Sequence, residues 1–177
     1  MATIIGVESA GGVVLAADRR HVQNDVVAND QVDRIHDLGA ALCAAVGDPG
    51  NVAAFTRTLD AKVDRYRDDH GREPTIDAVG ELAGEVAAST GVEALVAGRT
   101  PSGSVELRTV DRDGGVLHDV AAARGTGAAT ALGALEAVDT TAPIDDVEDD
   151  LLDVVATVHE RDPESGPDAD VGTLAAT

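Results

Sequence analysis

Apolar side chains fall along this chain in two rhythms, and the switch between them lays out the elements. Residues 3–7 (Thr-Ile-Ile-Gly-Val) and 13–17 (Val-Val-Leu-Ala-Ala) are short, nearly continuous apolar runs separated by Ser9-Ala10-Gly11-Gly12. Runs of this kind, rich in β-branched residues and split by a small-residue turn, predict a hairpin whose strands are covered on both faces. The same pattern also fits an edge hairpin at a fixed terminus. The hairpin ends at Asp18-Arg19-Arg20. After it, the patch Val26-Val27-Ala28 and the alternating stretch Val32-Asp33-Arg34-Ile35-His36 predict a second, partly exposed hairpin. Residues 40–46 predict a further buried strand, closed by Gly47-Asp48-Pro49-Gly50.

The spacing then changes to threes and fours. Val52, Phe55, Leu59, Val63 and Tyr66 mark one face of a helix that starts at Pro49, is capped by Asp48 and ends near Gly71. Ile76, Val79, Leu82, Ala83 and Val86 mark a second helix after Pro74, capped by Thr75. Residues 93–99, 105–110 and 116–120, with turns at Pro101-Ser102-Gly103 and Asp113-Gly114-Gly115, predict a three-stranded meander. Gly125-Thr126-Gly127 opens a small-residue helix with Leu132, Leu135 and Val138 on one face and Gly133 permitting close packing. A last helix covers 144–159, with Ile144, Val147, Leu151, Val154, Val155 and Val158 inward, and 170–176 forms a closing strand. The order is strands, two helices, strands, two helices, strand, without repeat or linker. It predicts one α+β domain over 1–177, with two antiparallel sheets between two helical layers.

Charge adds a constraint on partners and surroundings. Acids outnumber Lys and Arg 33 to 13, a formal net charge of −20 that argues against nucleic acid or an anionic membrane as partner. With one lysine (Lys62), two aromatics (Phe55, Tyr66) and periodic apolar blocks, this composition reads as a folded domain adapted to high salt, where counterions screen the self-repulsion. The single Cys43 sits in an apolar run, so no intrachain disulfide is possible and no thiolate metal site is offered. No basic leader and no membrane-length apolar stretch is apparent, and a cytoplasmic location is expected.

Few residues carry chemistry by motif alone. Gly125-Thr126-Gly127 before a helix invites a phosphate, yet it lacks both the P-loop lysine and the third glycine of a dinucleotide fingerprint. His21, His36, His70, His118 and His159 lack metal-ligand spacing, and the pairs Asp145-Asp146 and Asp149-Asp150 lie on a helix face rather than in a cation-binding loop. No cofactor and no metal are expected.

Taken together, Thr3-Ile-Ile-Gly-Val with Ala16-Ala-Asp-Arg-Arg20, Val46-Gly47-Asp48, Gly125-Thr126-Gly127 with Gly133-Ala-Leu-Glu136, and Arg161-Asp-Pro-Glu-Ser-Gly166 resemble proteasome β subunits, in that family's order and over nearly the whole chain. The resemblance implies a four-layer αββα sandwich of the N-terminal-nucleophile hydrolase type, assembled into a ring with other proteasome-like subunits. It also implies threonine-type endopeptidase chemistry on polypeptide substrates. There the first mature residue is a threonine whose hydroxyl attacks the carbonyl while its own α-amine takes the proton. By resemblance Asp18 matches the acid beside the nucleophile, Thr126 the usual serine near the amine, and Asp162 and Ser165 the remaining polar pair. Ala44 takes the position whose backbone N–H serves the oxyanion. Two positions depart from the family. The nucleophile position falls on Ala2, which has no hydroxyl, and the active-site lysine falls on Arg34, whose planar guanidinium cannot become neutral. The expectation is an inactive or altered β-type subunit. Its alternatives are a structural or regulatory ring subunit and an amidohydrolase using Thr3 after trimming, although one step along a strand turns a side chain to the other face.

Overall fold

The computed structural model describes residues 1–177. The chain runs β1 (Thr3–Ser9), β2 (Gly12–Asp18), β3 (His21–Gln23), β4 (Val26–Asn29), β5 (Ile35–Asp37), β6 (Ala41–Val46), α1 (Pro49–His70) and α2 (Ile76–Thr90). It continues β7 (Glu93–Arg99), β8 (Val105–Val110), β9 (Val116–His118), β10 (Ala121–Gly125), α3 (Ala128–Leu135), α4 (Ile144–His159) and β11 (Ala169–Ala175). One antiparallel sheet has the order β10-β1-β2-β11 and the other β5-β6-β7-β8-β9.

The continuous apolar runs of the first hairpin have a direct cause: β1 and β2 lie at the centre of their sheet, with apolar layers on both faces. Ile4, Leu15 and Ala17 point between the sheets with Leu42, Ala44, Leu95 and Leu107, while Ile5, Val14 and Ala16 point to α3 and α4 with Val147, Leu151 and Val155. A third apolar layer joins the far face of the second sheet to α1 and α2 through Cys43, Phe55, Leu59, Val79 and Val96. Three apolar layers between four layers of backbone make the αββα sandwich. No helix is long and apolar enough to cross a membrane.

Several local expectations change. The first hairpin is not an edge element. The second hairpin is β3 with β4, closed at Asn24 and Asp25, both at positive φ (51° and 60°) as a two-residue hairpin turn requires. Residues 35–37 instead leave that hairpin and pair with β6 in the other sheet, Ile35 opposite Ala44. The strand expected over 116–120 stops at His118, and the chain crosses to the first sheet as β10, which the alanine-rich Ala121–Gly125 had hidden. In α3, Leu132 is 44% exposed, Val138 lies beyond the helix, and a side chain at Gly133 would meet open space rather than a packed neighbour. Asp48 stands at the N-cap of α1 without a side-chain hydrogen bond, whereas Thr75 caps α2 by accepting the Ala78 N–H at 3.5 Å.

One side chain of β1 ties the two sheets. The Glu8 carboxylate, at the end of β1, accepts the Leu107 N–H of the other sheet at 2.6 Å and meets His118 Nε2 at 2.8 Å. Cys43 is fully buried, and burial pushes its thiol up to about 12. At pH 8 its thiolate is then on the order of one part in ten thousand, so alkylation by iodoacetamide is expected only after unfolding. The sign follows from linkage. Above about pH 8.5 the unfolded chain loses the thiol proton while the folded chain keeps it, so stability falls as pH rises from there toward 12. Cys43→Ala should flatten this slope in urea titrations between pH 8 and 10, and an unchanged slope would count against it.

Candidate active site

The start of β1 and the loop after β10 bring most of the singled-out residues together. Gly125, at φ +103°, is pressed against the Ala2 carbonyl, where a Cβ would lie 1.8 Å from the oxygen, so only glycine allows the chain to pass. The following Gly127 donates its N–H to Thr3 Oγ1 at 2.9 Å, and a side chain there would strike Val158 and that same hydroxyl. Strand alternation then separates the first two candidates. Ala2, 2% exposed, points between the sheets into the layer that holds Ala44. Thr3, also 2% exposed, points to the opposite face, where its hydroxyl lies 2.8 Å from Ser165 Oγ.

Asp18, at the end of β2, is the hub. Its Oδ2 accepts the Thr3 N–H at 2.6 Å, and its Oδ1 accepts the Arg20 N–H at 2.8 Å and the Gly166 N–H at 2.9 Å. Burial pushes its carboxyl above the ordinary aspartate value, opposed by those three N–H groups and by the charge of Arg34. Arg34 is 4% exposed and spends two donors on backbone, Nε on the Asp18 carbonyl at 3.1 Å and Nη2 on the Arg20 carbonyl at 2.6 Å. Burial holds this guanidinium below its ordinary value, with Asp18 opposing.

On the other side, Asp162 gathers two hydroxyls at Oδ2, Thr126 and Ser165, each at 2.7 Å. Thr126 also bonds the Met1 carbonyl, and the Met1 amine pairs with Glu164. Burial pulls that amine below its ordinary value; Asp162 opposes the shift, Arg34 adds to it and Asp18 opposes it, so all three charges converge on the start of β1. Ala2, Thr3, Asp18, Arg34, Thr126, Asp162 and Ser165 thus form one cluster, with Ala44 in the apolar layer beneath Ala2. Sequence reasoning missed Gly127 and Gly166 as N–H donors, and it gave His159 no role. His159 Nδ1 in fact donates to the Ser165 carbonyl at 2.9 Å. Nothing in a glycine's side chain could have signalled such a role; only its place beside Thr126 and Ser165 did. No group of acids, histidines and cysteine is arranged to hold a metal ion.

Two antiparallel sheets between helix pairs, with a polar cluster at the first residues of a central strand, define the architecture of the N-terminal-nucleophile hydrolases. The sequence matches the family described as Proteasome subunit over residues 1–174, and the chain belongs to that family. It is 30% identical to a proteasome subunit beta of Halomicrobium mukohataei, over 97% of this chain and 75% of the relative. It is 31% identical to proteasome subunit beta 2 of Haloarcula marismortui, over 93% and 74%, and 29% identical to proteasome subunit beta 1 of Hyperthermus butylicus, over 96% and 87%.

Proposed function

We propose that this chain is a β-type subunit of a proteasome-like ring that degrades protein, and that it contributes no peptide bond cleavage of its own. The observation that carries the reading is the side chain at Ala2. The strand presents a buried methyl group where the family's chemistry needs a hydroxyl. Arg34 supports it, because a guanidinium fixed on the Asp18 and Arg20 carbonyls offers no proton acceptor and stays charged. Thr3 is a poor substitute nucleophile: its hydroxyl faces away from Ala2 and is held by Ser165 and the Gly127 N–H, and its own N–H is held by Asp18. The ring itself rests on family membership. A cytoplasmic location fits the same reading.

The test is intact mass and turnover of a panel of peptide amides, measured on protein purified in high salt and sized by gel filtration. The expected result is a high-mass assembly with no turnover and a chain retaining Ala2. A chain that begins at Thr3, with turnover abolished by Thr3→Ala, would overturn the silent-subunit reading. Elution as a monomer across salt concentrations would overturn the ring.

A further inference from the structure

A guanidinium is costly to take out of water, and this chain anchors nearly every one that it removes from the open surface. Arg19, Arg20, Arg67, Arg108 and Arg124 meet carboxylates, and Arg34 rests on two carbonyls with the charge of Asp18 acting on it. Arg99, the last residue of β7, is the exception. Although partly buried, it makes no ion pair and no side-chain hydrogen bond, and its Nη1 is enclosed without a partner. Acids outnumber Lys and Arg 33 to 13 in this chain, yet none of them reaches Arg99. Nε and Nη2 are not enclosed in the same way, so one edge of the planar fork is open to a ligand.

Arg99 lines a cavity of about 400 Å³ where three connections meet: Ala40 between β5 and β6, Glu73 and Thr75 between α1 and α2, and Thr100 after β7. Its walls carry no Leu, Ile, Val or aromatic side chain, so they select for polar contacts. The one carboxylate in the lining, Glu73, is already held by Arg67 Nε at 2.6 Å. Thr75 Oγ1 accepts the Ala78 N–H and leaves its own proton for another acceptor, whereas Thr100 Oγ1 is engaged by Ser102 and Ser104. The groups left over, a guanidinium edge and a hydroxyl proton, are all donors. An anion with several acceptor oxygens complements them.

We propose that this cavity binds a small tetrahedral oxyanion of the phosphate or sulfate class, held by the Nε–Nη2 edge of Arg99 and by the Thr75 hydroxyl. Once two oxygens are taken by the arginine fork, a tetrahedral anion still has another for Thr75, and a carboxylate has none. The bound anion links the β5–β6, α1–α2 and β7–β8 connections. The site shares no residue with the Asp18 cluster, and the inference holds whether or not the chain cleaves peptides.

The test is isothermal titration calorimetry of the assembled protein with potassium phosphate, sulfate and acetate, at one ionic strength set with potassium chloride, together with the urea midpoint in each salt. Phosphate or sulfate, one per chain, should bind at least about tenfold more tightly than acetate, the effect of one added charge-assisted contact, and should raise the midpoint above that in chloride. Arg99→Gln should weaken phosphate by at least about tenfold, and its midpoint in chloride shows whether it is folded. Arg99→Lys keeps the charge and loses the fork, so its affinity should fall between the two, and it serves as the test if the Gln variant does not fold. Acetate binding as tight as phosphate, wild-type affinity in either variant, no binding, or uptake without saturation, which marks an adventitious ion only, would each overturn the proposal.

Discussion

A chain produced to begin at residue 2 and carrying Ala2→Thr with Arg34→Lys is expected to hydrolyse peptide amides, while Ala2→Thr alone stays near background. The two changes repair different steps. Threonine at residue 2 supplies the hydroxyl that adds to the carbonyl and the free α-amine that accepts its proton and passes it to the leaving amine. Lysine supplies a compact cation that can approach the attacking oxygen, which the Arg34 fork, held on the Asp18 and Arg20 carbonyls, does not do. A lost proton-transfer or electrostatic partner typically slows such chemistry by about 10²–10⁴, so the double variant should exceed Ala2→Thr by at least about a hundredfold. The readout is kcat/KM on a fluorogenic peptide amide, measured on the assembled particle in high salt. Equal turnover by the single and double variants would show that Arg34 is no obstacle. No turnover by either would place a further defect outside these two positions.

Replacement of Asp18 carries the largest expected cost in stability. Its carboxylate is fully buried and accepts three backbone N–H groups, from Thr3, Arg20 and Gly166, which join three separate segments. Asp18→Ala leaves all three donors dry. At about 1–3 kcal/mol for each buried unsatisfied group, less whatever relaxation and water entry recover, the loss should be about 3–5 kcal/mol. Asp18→Asn offers a graded comparison. Its single carbonyl oxygen can serve Arg20 and Gly166 from the Oδ1 site, which turns the amide NH₂ toward the Thr3 N–H, and about 1–3 kcal/mol should be lost. Urea denaturation in constant salt measures both. If Asp18→Ala costs no more than Asp18→Asn, the three-donor account fails.

The sequence made the layered architecture legible because hydrophobic periodicity changes cleanly between strands and helices. Val13–Ala17 read as a strand, with burial on both faces one of two readings, and Phe55, Leu59 and Val63 as one helical face. Where reading along the chain failed, the deciding contact was distant. Ile35 joins β6 rather than the adjacent hairpin because its side chain fills the space between the sheets, and β10 forms from alanines because β1 offers it an edge. The candidate site shows the same division. Asp18, Thr126, Asp162 and Ser165 could be named through the family resemblance, whereas the Gly127 and Gly166 N–H groups and the anchoring of Arg34 on two carbonyls exist only after folding.

The Glu8 carboxylate is one of two fasteners between the sheets. It fastens the first sheet to Leu107 of the second near one end of β1, whereas Thr3 and the Asp18 cluster lie at the other. Arg34 fastens the other end through the Asp18 and Arg20 carbonyls, so that breathing of the two sheets is resisted at both ends and amide hydrogen exchange should be slow at Thr3, Arg20 and Leu107 alike. A fastener at each end leaves the two sheets little freedom to splay apart, and holds the start of β1 in a fixed place.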